Sequence, residues 1–153
     1  MSPILDLCSG DLVSYTIFDR PTLSMVTSML DKAFAIIPDG TGLILHSDQG
    51  WHYQHKKYQR MLEKKGIRQS MSREGNCLDN AVMENFFGLD NAVMENFFGL
   101  LKSELLYLQD FDSLNHFKSE LVDYLDYYNN RRIKLKLKGL TPAQHRCQTL
   151  QAA

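Results

Sequence analysis

The chain has 153 residues, of which 44% are hydrophobic and 23% charged, with a formal net charge of −1. That balance describes a globular chain of about one domain's length, long enough to bury a sizeable core. It argues against a membrane-spanning or secreted protein: no apolar run approaches the ~20 residues a membrane helix needs, and no signal-peptide pattern opens the sequence.

The elements follow in chain order. PILDLCS and LVSYTIF, separated by Gly10-Asp11, read as two short strands joined by a tight turn. Pro21 opens a helix in which Leu23, Val26, Met29, Leu30, Ala33 and Ile37 recur at helical spacing, until Pro38-Asp39-Gly40 stops it. GLILHSD is a short apolar run that turns polar at its carboxyl end, the pattern of a buried strand delivering Asp48 to a sheet edge. Tyr53 to Lys65 is amphipathic and helical with Gly66 as its stop, and Ile67 to Gln69 forms a brief further strand. Ser70 to Cys77 is a polar loop. Helical periodicity then runs from Leu78 to about Leu108. A second helix follows Asp112, which can cap it, and reaches about Tyr128, where Asn129-Asn130 breaks it. After a basic stretch, Thr141-Pro142 starts a short final helix. Strands alternating with helices in this order predict an α/β domain.

One segment stands apart. LDNAVMENFFG, Leu78 to Gly88, recurs unchanged at Leu89 to Gly99. Solenoid repeats run to roughly 20–50 residues and drift in sequence, so this copy is a recent duplication and not a structural repeat. Eleven residues advance a helix by three turns plus about 20° and lengthen it by ~16 Å. Both copies are helical in pattern and lack proline, so one continuous helix is expected, with Gly88 as its weak point at about 1 kcal/mol relative to Ala.

The small net charge hides an uneven distribution. Lys56, Lys57, Arg60, Lys64, Lys65, Arg68 and Arg73 crowd one segment, and RRIKLKLK (Arg131 to Lys138) has no acidic residue. Two basic segments of this kind can neutralise phosphates. The cysteines, Cys8, Cys77 and Cys147, are odd in number and widely spaced, which fits reduced thiols in a cytoplasm better than a disulfide framework or a zinc site.

HSDQG (His46 to Gly50) places Asp48 where a carboxylate can meet solvent and a divalent ion. Magnesium takes hard oxygen ligands, usually one or two carboxylates with water and phosphate oxygens. A second carboxylate, Glu84, follows after 35 intervening residues, in a helix behind Asn80. His46 and His52 flank Asp48, though His46 reads more simply as a packing or hydrogen-bonding residue at a strand end. Trp51 and Tyr53 can stack on bases or cover the sheet edge. Phe86-Phe87 and Phe97-Phe98 read as helix core. Asn80 and Asn91 read as residues that position the helix entry near the glutamate.

Three blocks carry a resemblance: HSDQGWHY (His46 to Tyr53), IRQSMSREGNCLDNAVMENFFGLLKSEL with the duplication removed, and YYNNRRIKLKLKGLTPAQHR (Tyr127 to Arg146). In order and content they resemble the DDE transposases of bacterial insertion sequences, relatives of retroviral integrases, over nearly the whole chain. The resemblance implies an RNase H-like fold, a site of Asp, Asp and Glu binding Mg²⁺ or Mn²⁺, and cleavage and joining of DNA at element ends and target. It implies residues 1–110 as catalytic core and 111–153 as a helical, basic extension of the same domain. It makes Asp48 the second catalytic Asp. The interval from Asp48 points to Glu84 as the Glu, whereas the basic residue the family carries seven positions later is Lys102, after Glu95. The short unaltered loop before the first copy puts Glu84 ahead. DNA contacts are expected at Lys56, Lys57, Lys102, Arg131 and Arg132.

Two departures bear on activity. No residue matches the family's first catalytic Asp, which lies in a segment resembling D-x-T-Y-I on a central strand. Asp6 aligns with a later Asp that is not a ligand. That strand would lie between those holding Ile4 and Ile44, so its neighbours must meet directly or leave inner edges unpaired. The duplication is the second departure. The resemblance therefore implies a transposase core fragment inactive alone, with full-length transposase subunits as partners. The rival readings are a non-catalytic DNA- or transposase-binding remnant and a decayed reading frame.

Overall fold

The computed structural model describes residues 1–71 and 92–151. The first copy of the duplication, with Glu84 and Gly88, lies outside the described residues, as do Cys77, Asn80 and Asn91, and so does the question of one helix through both copies. The chain forms two compact units, Met1–Ile4 with Val13–Gly88, and Leu5–Leu12 with Leu89–Ala153.

β1 (Ser2–Leu5) and β2 (Leu12–Thr16) pair as a hairpin that belongs to the first unit except for Leu5 and Leu12 at its turn end. Helix α1 (Leu23–Phe34) is capped by Thr22, whose side chain accepts from Met25 N–H. Its apolar face, Met25, Val26, Met29, Leu30 and Ala33, is buried together with Ile4 and Val13 from the hairpin. Two buried hydroxyls of β2 use the helix's own carbonyls: Ser14 Oγ donates to Met29 O at 2.7 Å and Thr16 Oγ1 to Met25 O at 2.8 Å. Buried polar groups without partners are costly, and these have them. The helix stops short of Pro38. Lys65 Nζ donates to the Phe34 carbonyl at 2.9 Å, satisfying one of the carbonyls that a helix end leaves open.

The same unit continues with β3 (Ile44–Ser47), α2 (Lys56–Lys65) and β4 (Arg68–Met71), a parallel pair joined through the helix. Register is set as Ile44 opposite Arg68 and Ser47 opposite Met71. Tyr58 and Leu62 of α2 and Ile67 complete the core, and Gly66 ends α2 in the left-handed conformation at φ 74°. The α/β expectation is met, with one difference. The sequence of β3 reads as a buried strand, yet Ile44 is 52% exposed and Leu43 45%. Among the described residues β3 pairs only with β4, and β1–β2 form a separate sheet. With a neighbour on one side and no layer over Ile44 among the described residues, the start of the strand stays exposed, however apolar it is.

In the second unit, helix α3 (residues 92–101) runs into one π-helical turn, Lys102–Leu106. Then come α4 (Leu114–Asn130), a 3₁₀ turn at Leu135–Leu137, and α5 (Pro142–Gln151). Phe97, Leu101 and Leu105 recur at i, i+4, i+8 and are buried, as are Leu121, Tyr124, Leu125 and Tyr128 of α4. The rings of Phe97 and Tyr128 meet edge to face at 5.1 Å. Phe97 is thus core, as its helical spacing suggests.

Two local expectations shift. The cap of α4 is Ser113, whose Oγ accepts from His116 N–H at 3.1 Å, while the Asp112 carboxylate lies 3.5 Å from His116 Nδ1. The helix also passes through Asn129-Asn130. An asparagine breaks a helix when its amide competes for nearby backbone, but the Asn129 amide is engaged elsewhere. It accepts from Leu12 N–H at 2.8 Å and donates to Leu12 O at 2.9 Å. The final helix starts as read: Thr141 Oγ1 accepts from Gln144 N–H, and Gln144 Oε1 accepts from Thr141 N–H. Among the described residues, no helix is long and apolar enough to cross a membrane.

Candidate functional site

Asp48 is the first residue past β3, at the carboxyl end of the parallel pair. Ligands of open α/β sheets gather at that end, because the strands' following loops converge there. The side chain is exposed. Its Oδ1 accepts from Gly50 N–H at 2.7 Å, an Asx turn that fixes the carboxylate over its own backbone. Its other oxygen has no hydrogen bond or ion pair among the described residues. A Cβ at Gly50 would lie 2.9 Å from Asp48 Oδ1 and 3.1 Å from the His52 ring, so a side chain here would displace the carboxylate from its turn.

The surroundings sort the neighbours. His46 Nδ1 lies 3.2 Å from Ser70 Oγ on the paired strand, so His46 hydrogen-bonds at the strand end as expected. Tyr53 is packed, with its hydroxyl 3.4 Å from Ser2 Oγ, its ring against Tyr58, and its carbonyl accepting from Gln69 Nε2 at 2.9 Å. Burial raises the Tyr53 phenol above its ordinary range and the Asp48 charge adds to this, while the bond to Ser2 opposes it. Trp51 remains 58% exposed, edge-on to His52 at 5.4 Å. Ser47 Oγ and His52 Nδ1, one on each side of Asp48 in sequence, are buried without hydrogen-bond partners among the described residues.

A hard carboxylate oxygen without a partner suits one coordination position of Mg²⁺ or Mn²⁺. Among the described residues, no group of three His, Cys, Asp or Glu side chains could hold an ion. At most one arm of such a site, the Asp48 carboxylate, thus lies among the described residues. Glu84 lies outside them. Glu95 is exposed on α3, and Lys102, seven positions on, is exposed on nearly the same face, roughly 100–120° round the helix from the centre of the Phe97–Leu101–Leu105 stripe. Asp48 belongs to the first unit and Glu95 and Lys102 to the second.

Lys56 and Lys57 are both exposed at the start of α2. With His55, Arg60, Met61 and Lys64 they line an open cleft of about 340 Å³. Arg60 and Lys64 were legible in the sequence, because they fall at i+4 and i+8 from Lys56. The second basic segment is less free. Arg132 grips Glu104 through Nε at 3.0 Å and Nη2 at 2.7 Å, and Tyr124 donates to the same carboxylate at 3.0 Å. The Arg132 guanidinium holds the Glu104 carboxyl below its ordinary range, reinforced by Tyr124 against the opposing effect of burial. Arg131 pairs with Asp126 at 3.1 Å and lies over the Tyr127 ring.

Comparison with known proteins gives this geometry a family context. The integrase core domain family matches residues 1–77, and a second integrase core domain family matches residues 95–150. The chain is similar to the putative transposase InsK for insertion sequence element IS150 of Escherichia coli, 48% identical over 149 residues, 97% of this chain and 49% of that protein. An uncharacterized transposase-like protein of Haemophilus influenzae is 41% identical over 150 residues, 98% of this chain and 64% of that protein. The chain thus spans about half the length of the first of these relatives. Among solved structures it resembles the HTLV-2 integrase catalytic core domain in complex with magnesium, with a TM-score of 0.60 and 18% identity, covering 92% of this chain and 79% of that one.

Proposed function

The chain belongs to the integrase core family, among the DDE transposases of bacterial insertion sequences, and from that premise we propose that it engages DNA as catalytic-core material of a transposase. The observation that carries the reading is the place of Asp48, immediately past a parallel strand with one carboxylate oxygen uncommitted among the described residues. In this reading Asp48 holds one coordination position of Mg²⁺ or Mn²⁺ from a turn fixed by Gly50. When bound, the metal supplies stabilisation of the attacking and leaving oxygens in a phosphoryl displacement. The glutamate comes from one copy of the duplication. Glu84 keeps the interval from Asp48. Glu95 keeps the downstream helix, and the family match resumes at that residue.

Lys56, Lys57 and Lys102 contact DNA phosphates in this reading, with Lys56 and Lys57 on the rim of the α2 cleft. Arg131 and Arg132 reach phosphate only by giving up Asp126 and Glu104. The partners are element ends, target DNA and further transposase subunits in the bacterial cytoplasm. Residues 111–153 extend the same domain.

No residue of this sequence matches the first catalytic Asp, so the chain alone is inactive in 3′-end cleavage and strand transfer. The test incubates the purified chain with labelled element ends and Mg²⁺ or Mn²⁺. No joined product is expected. Joining abolished by Asp48→Ala would overturn the inactivity, and joining untouched by that substitution would overturn the role of Asp48 as well.

A further inference from the structure

The segment 131–139 is rich in bonds to the second unit yet presents an apolar tip to solvent. Lys134 is in extended conformation, so its side chain and those of Ile133 and Leu135 alternate in direction. Lys134 turns inward, with Nζ 2.8 Å from Tyr128 Oη and over that ring at 4.5 Å. Ile133 and Leu135 turn outward, 64% and 94% exposed. A 3₁₀ turn follows, closed by Leu137 N–H to Lys134 O and Lys138 N–H to Leu135 O, both at 3.0 Å, and a bridge joins Lys134 to Leu140. Leu137 is buried and anchors the turn from below. Lys136 and Lys138 are exposed, and neither has a side-chain partner among the described residues.

The result is a knuckle with a leucine at its tip and two lysines, uncommitted among the described residues, one and three positions after it. A solvated charged face would need no exposed leucine, and an ordinary apolar protein contact would not be flanked by two like charges without an acidic partner. Proteins that bend or pry a duplex use this combination, cations on phosphates and an apolar side chain against sugars or base edges.

Building on the DNA-binding reading above, we infer that the 133–138 knuckle is a nucleic-acid contact in which Lys136 and Lys138 engage phosphates and Leu135 packs against the sugar-base surface. It shifts the DNA-binding charge of the second basic segment from Arg131 and Arg132, which are paired, to the two lysines after them.

The test measures binding of the full chain to a duplex of element-end sequence across a salt series, for the unaltered chain, Lys136→Gln with Lys138→Asn, and Leu135→Ser. Asparagine suits position 138, whose φ is 57°. Each phosphate contact contributes about 0.9 to the slope of log K against log salt. The double variant should therefore lose about 2 from that slope and bind on the order of tenfold to a hundredfold more weakly at 0.1 M salt. Leu135→Ser should weaken binding severalfold with the slope unchanged, because no ion is released at an apolar contact. All three should show the same near-ultraviolet dichroism, since the altered side chains are exposed. Unchanged affinity and slope in the double variant would overturn the inference while leaving DNA binding by the chain intact. Absence of salt-dependent binding by the unaltered chain would overturn both readings. Equal binding to phosphatidylserine vesicles, with the same response to Leu135→Ser, would overturn the assignment to nucleic acid.

Discussion

Two carboxylates show how differently this chain treats charge. Glu104 in the second unit receives bonds from Nε and Nη2 of Arg132 and from the Tyr124 hydroxyl, leaving little for a ligand. Asp48 at the end of β3 receives one backbone N–H and nothing more among the described residues. The first carboxylate is committed to holding its unit together, whereas the second remains available for chemistry. The strands repeat the contrast: the β1–β2 hairpin is covered by α1, and β3, which leads into Asp48, presents Ile44 to solvent. Stability and the candidate chemistry thus reside in different places, and substitutions should separate them.

The largest effect is expected in the covered region. Leu30 is fully buried under the hairpin, so Leu30→Ala should cost about 2–5 kcal/mol, whereas Ile44→Ala should cost less than about 1 kcal/mol. Urea denaturation measures both, and equal losses would show that β3 is covered after all. Next comes the clamp. Arg132→Leu leaves Glu104 half-satisfied and should cost about 1–3 kcal/mol, discounted because the pair is partly exposed.

The clamp also predicts a pH dependence. The folded-state pKa of Glu104 lies below the unfolded value of 4.5, so its contribution is fully present above 4.5 and is lost as pH falls through the folded value. The thermal midpoint of the unaltered chain should drop more steeply on acidification below 4.5 than that of Glu104→Gln. Parallel curves would remove the clamp from the account. The smallest effect belongs to Asp48→Asn, which should change stability by no more than about 0.5 kcal/mol, because one exposed Asx bond is all it alters. A larger loss would make Asp48 a structural residue.

Local chemistry was readable almost wherever it depends on neighbours in sequence, the exception being the cap of α4, which is Ser113 and not Asp112. The turn at Gly66, the Thr141 cap and the position of Asp48 past a strand all follow from residues within one turn of each other. What escaped depends on distant partners. Asn129 fails to break α4 because Leu12 takes its amide, 117 residues away. The pairing of Arg132 was hidden because Glu104 is 28 residues distant in sequence. The exposure of β3 was hidden for the same reason, since apolar content says that a strand can be buried and only its sheet neighbours decide whether it is.

Manganese titration of the chain tests the central claim most directly, followed by water-proton relaxation for the unaltered sequence, Asp48→Asn, Glu84→Gln and Glu95→Gln. Binding should be lost in Asp48→Asn without loss of stability, and lost again in only one of the two glutamate variants, which identifies the working copy. Binding that survives Asp48→Asn undiminished would contradict the assignment of Asp48 as a metal-holding carboxylate.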